Sequence, residues 1–296
     1  MYDVIIIGGS FAGLSAALQL GRARRKVVVL DTSRPRNRFA AHAHGLLGHD
    51  GRPPHEILGE AIAQMRAYPS VRFIQARASL IGGHKDAFAV TTQDGESLAA
   101  RRVLLAHGIA DIMPDIDGFA RCWGRSVLHC PYCHGFEVAD KRLGLLYFSP
   151  MSEHVARMLE DWSGELTVFA DGNAIAPEFR ARLARRKLRL VEPKVTRLLE
   201  TDGQLEAVVT EDGAQTGLDA LFAGPRQQPA ADFHRQLGLA MDDMPLGPLI
   251  RVSESHETSM PGLYAAGDVA SPRQSAVLAM AAGNLAGVHC HHSLLD

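Results

Sequence analysis

An α/β protein of about two domains is the fold class this sequence predicts, and three stretches predict it. The first is Val4 to Ile7, a short β-branched run, followed by Gly8-Gly9-Ser10-Phe11-Ala12-Gly13 and the helix-forming Leu14 to Leu20. The second is an alternation of apolar strands and helices that roughly repeats this pattern between residues 120 and 243. The third is Leu263 to Ala266, a strand running into Gly267-Asp268 and then an Ala-rich helix from Ser275 to Val288. A length of 296 residues suits two domains of ordinary size.

Composition narrows the class. A hydrophobic fraction of 46% with 22% charged residues fits a soluble globular chain. A net charge of −2 favours neither nucleic acid nor an anionic membrane as partner. Four cysteines are too few for a secreted disulfide scaffold, so a reducing compartment is expected. No apolar run approaches the ~20 residues of a membrane span. Met1-Tyr2-Asp3 lacks the basic start of a signal peptide, so the expected location is the cytoplasm.

In chain order, the opening strand, glycine turn and helix form a dinucleotide-binding start. Pyrophosphate must reach backbone N–H groups at a helix N-terminus, where the dipole favours anions. Ser10 stands where the usual second glycine belongs; it adds a Cβ but also a hydroxyl donor. Lys26 to Leu30 is the second strand and ends in Asp31, where a ribose-binding carboxylate belongs. Ser33 to Pro54 reads as a long loop carrying His42, His44 and His49. Its alternatives are a plain polar loop, a cover over a ligand or substrate path, and a metal site. Pro54 to Tyr68 is an amphipathic helix. Val71 to Ile74, Phe88 to Thr92 and Arg102 to Ala106 read as a β-rich insertion returning to the sheet, with turns at Gly82-Gly83 and Asp94-Gly95. Further on come strands at Arg142 to Phe148 and Leu166 to Phe169, and helices at Val155 to Trp162 and Pro177 to Arg186. A hairpin follows over Val195 to Thr210, turning at Asp202-Gly203. The arginines of the second helix read as a solvated face. His289-Cys290-His291-His292 reads as a fraying polar end rather than a metal site, since on a helix only His289 and His292 face each other.

The chemistry centres on His129-Cys130-Pro131-Tyr132-Cys133-His134-Gly135. Two cysteines at this spacing can close to a disulfide or open to a dithiol. A mixed Cys/His metal site is the alternative. Cys122 and Cys290 form no second pair of this kind, and the reading assigns no metal.

Gly8 to Gly13, Asp31, the Cys130–Cys133 pair and Pro261-Gly262-Leu263-Tyr264-Ala265-Ala266-Gly267-Asp268 with Arg273-Gln274 resemble, in order, the low-molecular-weight thioredoxin reductases. The resemblance covers nearly the whole chain. It implies two Rossmann-like three-layer domains: an FAD domain over 1–118 and 246–296, and an inserted redox-disulfide, NADPH-type domain over 119–245. It also implies a homodimer. FAD would be bound by Gly8, Gly9, Ser10, Phe11, Ala12, Gly13, Asp31, Ala78, Ala106, Gly108, Gly267, Asp268, Arg273, Gln274 and Ser275. Cys133 would face the flavin, and Cys130 would exchange with substrate.

Two departures set the direction of the reading. Phe148-Ser149-Pro150-Met151-Ser152-Glu153-His154 replaces the reductases' second glycine turn, with Ser149 and Pro150 as helix cap and first position. Glu153 there, and Asp171 after the next strand, would repel NADPH phosphates, so NADPH use is doubtful. His134 stands where the reductases carry Asp. Cys-Pro-Tyr-Cys-His-Gly-Phe-Glu is similar to the dithiol oxidases that close disulfides in gliotoxin- and holomycin-type products. A histidine there can take a thiol proton near neutral pH. The resemblance therefore implies an FAD-dependent dithiol oxidase passing electrons to oxygen or another acceptor, with Cys130, Cys133 and His134 catalytic. The alternatives are a reductase of thioredoxin or a small disulfide, fed by NAD(P)H or a donor such as ferredoxin, and a flavin redox sensor without turnover. The partners implied are a small dithiol or disulfide, or a thioredoxin-like protein.

Overall fold

The computed structural model describes residues 1–295. It divides into two compact units, Met1–Arg38 with Pro54–Asp111 and Gln227–Asp296, and Phe39–Pro53 with Ile112–Arg226.

The first unit is built on a seven-stranded sheet. Its parallel core runs Val71–Gln75, Val27–Asp31, Tyr2–Ile7, Ser97–Leu105, and the two inner strands Val27–Asp31 and Tyr2–Ile7 are rich in Val, Ile and Leu because both faces are covered. Ser97–Leu105 is long because it serves two neighbours along one edge. Its first half pairs antiparallel with Phe88–Thr92, and its last three residues pair parallel with Leu263–Ala265. Val71–Gln75 is therefore a strand of the main sheet rather than part of an insertion. The antiparallel strand Phe88–Thr92 is what the insertion reading correctly describes; its partner Ala78–Gly82 is a strand that reading did not include.

Helix Phe11–Arg22 lies against helix Ala276–His292 at a spacing only glycine permits: a Cβ on Gly283 would fall 2.0 Å from the Ala12 carbonyl oxygen. The second helix continues through His289 to His292 instead of fraying. The cause is Arg102, fully buried beneath its end. Its guanidinium donates to the Ser293 hydroxyl (2.8 Å) and to the Ser293 carbonyl. A cation on the exposed carbonyls at a helix C-terminus satisfies both their hydrogen bonding and the dipole. The same side chain pairs with Asp86 at 2.8 Å, so the buried charge is compensated.

The second unit carries an all-parallel five-stranded sheet in the order Arg189–Val191, Leu166–Phe169, Leu143–Leu146, Ala220–Phe222, Val127–Leu128. Beside it lies an antiparallel sheet of Val195–Thr201, Gln204–Thr210 and Gln215–Gly217. Asp202 and Gly203 both take positive φ at the hairpin turn, as an Asp-Gly pair favours. Helix Pro177–Arg185 lays out its arginines in ion pairs rather than on a merely solvated face: Arg182 and Arg186 meet Glu160, and Arg180 meets Glu192.

The units differ from the sequence division in three places, and in one of them residues 112–118 fall with the second unit rather than the first. Residues 227–245 fall with the first unit, because Met241–Met244 and Gly247–Ile250 form one hairpin that a cut at 245 would split. The histidine loop Phe39–Pro53 falls with the second, with Phe39 so close that a Cβ on Gly124 would lie 2.7 Å from it. Among the described residues no helix is long and apolar enough to cross a membrane.

Candidate functional site

The opening turn of the first unit has the shape of a phosphate cradle. Gly8 has φ +105°, and a Cβ there would meet the Ala106 carbonyl oxygen at 2.2 Å. A Cβ on Gly13 would lie 1.8 Å from the Gly8 carbonyl oxygen. Strand tip and helix start are thus pressed together. Ser10 precedes the helix with extended backbone and makes no capping bond. The first-turn N–H groups of Phe11, Ala12 and Gly13 have no partner within the helix, and the Ser10 hydroxyl stands beside them as a further donor.

Asp31 ends its strand next to this turn. Its Oδ1 accepts the Gly9 N–H and its Oδ2 the Ser33 N–H, each at 2.8 Å. Each oxygen keeps a lone pair for a hydroxyl. Ala78 starts the strand just beyond, after Ala76 has bonded back to the Asp31 carbonyl. Ala106 donates to Ile7 at 2.7 Å, and Gly108, at φ +68°, accepts from Ala230. Gly267 takes φ +78° where a Cβ would touch Ala12, which brings the short helical turn carrying Asp268 against the opening helix. Burial pushes the Asp268 carboxyl up, with Arg36 opposing at 3.8 Å.

Sequence reasoning missed the group that braces this end. Arg36 holds Asp111 with two bonds, at 2.8 and 2.6 Å, and donates to the Gln274 Oε1 at 2.8 Å. Gln274 and Gln227 exchange reciprocal amide bonds at 2.7 and 3.2 Å. The Gln274 side chain is therefore committed within the protein, and its backbone N–H is the group left for a ring. Arg273 is exposed, and the Ser275 Oγ caps the last helix by accepting from Leu278. No local signal marks Arg36 or Asp111, since their partners are distant in sequence. His107, between two expected site residues, was missed as well. It is buried with both ring nitrogens unpartnered, and burial beside His234 pushes it down to about 3, so it stays neutral.

In the second unit Cys130 and Cys133 are joined by a disulfide, Cα atoms 5.3 Å apart. Cys130 caps a four-residue helix, Pro131–His134, with extended backbone, and Pro131 takes its first position. Gly135 is needed because a Cβ would strike the Trp162 ring at 2.9 Å. Trp162 in turn meets Tyr132 edge-on at 5.8 Å. Tyr132, between the two cysteines, and Phe136, just after them, remain exposed. The His129 Nδ1 lies 3.4 Å from the Ala223 carbonyl. Burial pushes the His134 imidazole below its ordinary value; the Glu137 carboxylate raises it and His44 lowers it further. His134 follows Cys133 directly in the chain, and a lowered proton affinity favours its neutral form, the form that can accept a proton.

The turn before helix Met151–Leu159 is different in kind. The Ser152 hydroxyl, fully buried, accepts from the N–H of Phe148 (3.0 Å) and of Ser149 (3.4 Å). The Ser149 Oγ accepts from Met151 at 3.2 Å, but the helix starts at Met151 with Pro150 in the capping position, one residue later than the expected cap at Ser149 and first position at Pro150. The Phe148 ring fills the space a Cβ on Gly224 would need. The Asp171 Oδ1 accepts the Val195 N–H at 2.8 Å, so it closes the end of its strand.

A flavin-type dinucleotide cradle in one unit and a Cys-x-x-Cys disulfide in the other define the class, a disulfide oxidoreductase. The family model for pyridine nucleotide-disulphide oxidoreductases matches residues 2–283, and the chain belongs to that family. Membership implies FAD, and a helix start packed so closely on the strand that Gly8 and Gly13 admit no Cβ, with its first N–H groups unbonded within the helix, fits a dinucleotide's pyrophosphate. Thioredoxin reductase sirT of Leptosphaeria maculans is 32% identical, over 97% of this chain and 92% of its own. Among solved structures, an oxidoreductase from Agrobacterium tumefaciens is 40% identical with TM-score 0.94, covering 99% of this chain and 98% of that one. HlmI is 36% identical with TM-score 0.91, covering 100% and 93%.

Proposed function

We propose that this chain is an FAD-dependent dithiol oxidase. The observation that carries the reading is the turn at Phe148 to Ser152. Its N–H groups are spent on the Ser149 and Ser152 side chains, so a nicotinamide dinucleotide finds no free backbone donors there. Electrons then arrive from substrate thiols.

In this reading Gly8 to Gly13 hold the FAD pyrophosphate, Asp31 the adenosine ribose and Asp268 the ribitol. Ala78, Ala106, Gly108, Gly267, Arg273, Gln274 and Ser275 line the rest. A substrate thiolate attacks Cys130 Sγ, breaking the Cys130–Cys133 bond and releasing Cys133 as thiolate. The second substrate thiol then attacks the mixed disulfide at the substrate sulfur. The substrate leaves as a disulfide, and the protein holds two thiols and the electron pair. His134 takes the thiol proton; burial favours its neutral form, which is the form able to accept, and Glu137 opposes that shift. FAD supplies the acceptor for the electron pair, with oxygen or another oxidant downstream. A homodimer is part of the reading, supported by the apolar Val277, Leu278, Met280 and Leu285 left exposed on the last helix. The substrate is a small dithiol, with a thioredoxin-like protein as the alternative.

The name borne by the sirT relative favours a second reading, a disulfide reductase fed by NAD(P)H or by a donor such as ferredoxin. Anaerobic bleaching of the yellow protein separates the two. Dithiothreitol is expected to bleach it, with colour returning and peroxide forming in air, while NADPH and NADH leave it yellow. Cys130→Ser should lower dithiol bleaching at least about 10³-fold, since the exchange route is lost. Fast bleaching by NADPH would make the chain a reductase. Stoichiometric bleaching without repeated turnover would make it a sensor.

A further inference from the structure

The histidine loop has no part in the chemistry above, yet it packs in the same unit as the disulfide. Its shape is fixed by its own bonds. Ala43 and Arg52 pair across it, Gly51 bonds back to Ala43, and the Gly45 N–H donates to the Asp50 Oδ1 at 2.8 Å. This places His44 between two carboxylates. Its Nδ1 lies 3.6 Å from the Asp50 Oδ2, and its Nε2 lies 3.4 Å from the Glu137 Oε1. The His44 side chain is 19% exposed, against 68% for Asp50 and 41% for Glu137, so the imidazole is the enclosed member of the group.

Glu137 follows His134 by three residues. The helix Pro131–His134 runs into the helical turn Phe136–Val138, and that spacing brings the two side chains to one side. We propose that Glu137 and His44 are positioning residues for His134. Glu137 balances the charge that His134 acquires on taking a thiol proton. His44, steered by Asp50, decides how much of that carboxylate charge His134 feels. The proposal rests on His134 being the base, as read above. It gives the loop a function, which is to trim the base's proton affinity from outside the Cys-x-x-Cys segment.

The two neighbours act on His134 in opposite directions, Glu137 holding a proton on and His44 driving it off. The other charged groups nearby are Lys141, whose Nζ bonds the Glu137 carbonyl at 3.1 Å, and His42, whose ring centroid is 6.3 Å from that of His44. Glu153, His154 and Arg157 lie on helix Met151–Leu159, which packs on the helix of the disulfide. All of these stay unchanged in the test.

The test is an NMR titration of the oxidised holoprotein with ring-labelled histidine, the His134 signal being assigned by its loss in His134→Gln. Glu137→Gln should lower the His134 midpoint by about half to one pH unit, and His44→Gln should raise it by about half a unit. Glu137→Asp should restore part of the first shift, which a purely structural defect would not. Midpoints that stay in place, or that move in the same direction in both variants, would overturn the proposal. The acid limb of kcat/KM for dithiothreitol should follow the NMR midpoints, because the base must be neutral to accept. Midpoints that move while that limb stays would remove His134 as the base, and the positioning role with it.

Discussion

The chain contains two strand-to-helix turns at corresponding places in its two units, and they have opposite chemistry. At Gly8 to Gly13 the backbone is bare: glycines press against carbonyls, and Ser10 leaves the helix start uncapped. At Phe148 to Ser152 two serine hydroxyls take the N–H groups, and a phenylalanine ring fills the space above Gly224. A helix N-terminus binds an anion only if its donors are free. On the proposed reading the second turn keeps the fold without offering the site. The comparison teaches that two turns of one α/β pattern can differ in whether their backbone donors are free, and that this decides what each can bind.

The strongest way to break the comparison is to fill the open turn. Gly13→Ala puts a methyl 1.8 Å from the Gly8 carbonyl oxygen, which must move. Overpacking of this kind costs about 2–3 kcal/mol, so FAD should be lost at dialysis that the parent survives, or bind about 30- to 150-fold more weakly by fluorescence quenching. Unchanged FAD affinity would mean that the turn is not the cradle.

A smaller effect is expected at the closed turn. Ser152→Ala strips the acceptor from two partly buried N–H groups and should lower stability by about 1–2 kcal/mol in urea unfolding. It should not create NADPH binding, since Phe148, Glu153 and Asp171 stay in place. A gain of NADPH-driven bleaching in this variant would show that the serine alone closes the site, and would narrow the comparison to one hydroxyl.

Much of this was legible in the sequence where the signal is local. The glycine turn, Asp31, the Asp202-Gly203 hairpin and the strand before Gly267-Asp268 follow from short-range rules of backbone freedom and apolar run length. What escaped depends on contacts between distant residues. Arg36 braces Asp111 and Gln274 across most of the chain, and nothing near Arg36 foretells it. The C-terminal histidines read as a frayed end because the sequence does not show Arg102 beneath them. Val71–Gln75 read as insertion because pairing with Val27–Asp31 is a long-range fact. At the closed turn the sequence showed that glycines were missing, but not that Ser152 had taken over their N–H groups.

The most direct test of the central claim is equilibrium binding of NADPH to the oxidised, FAD-loaded protein by calorimetry. The account predicts no saturable binding up to about millimolar ligand, the range in which an anion without donors or charge partners falls. Saturable binding at micromolar NADPH, with flavin bleaching, would contradict it and make the chain a pyridine-nucleotide-driven reductase.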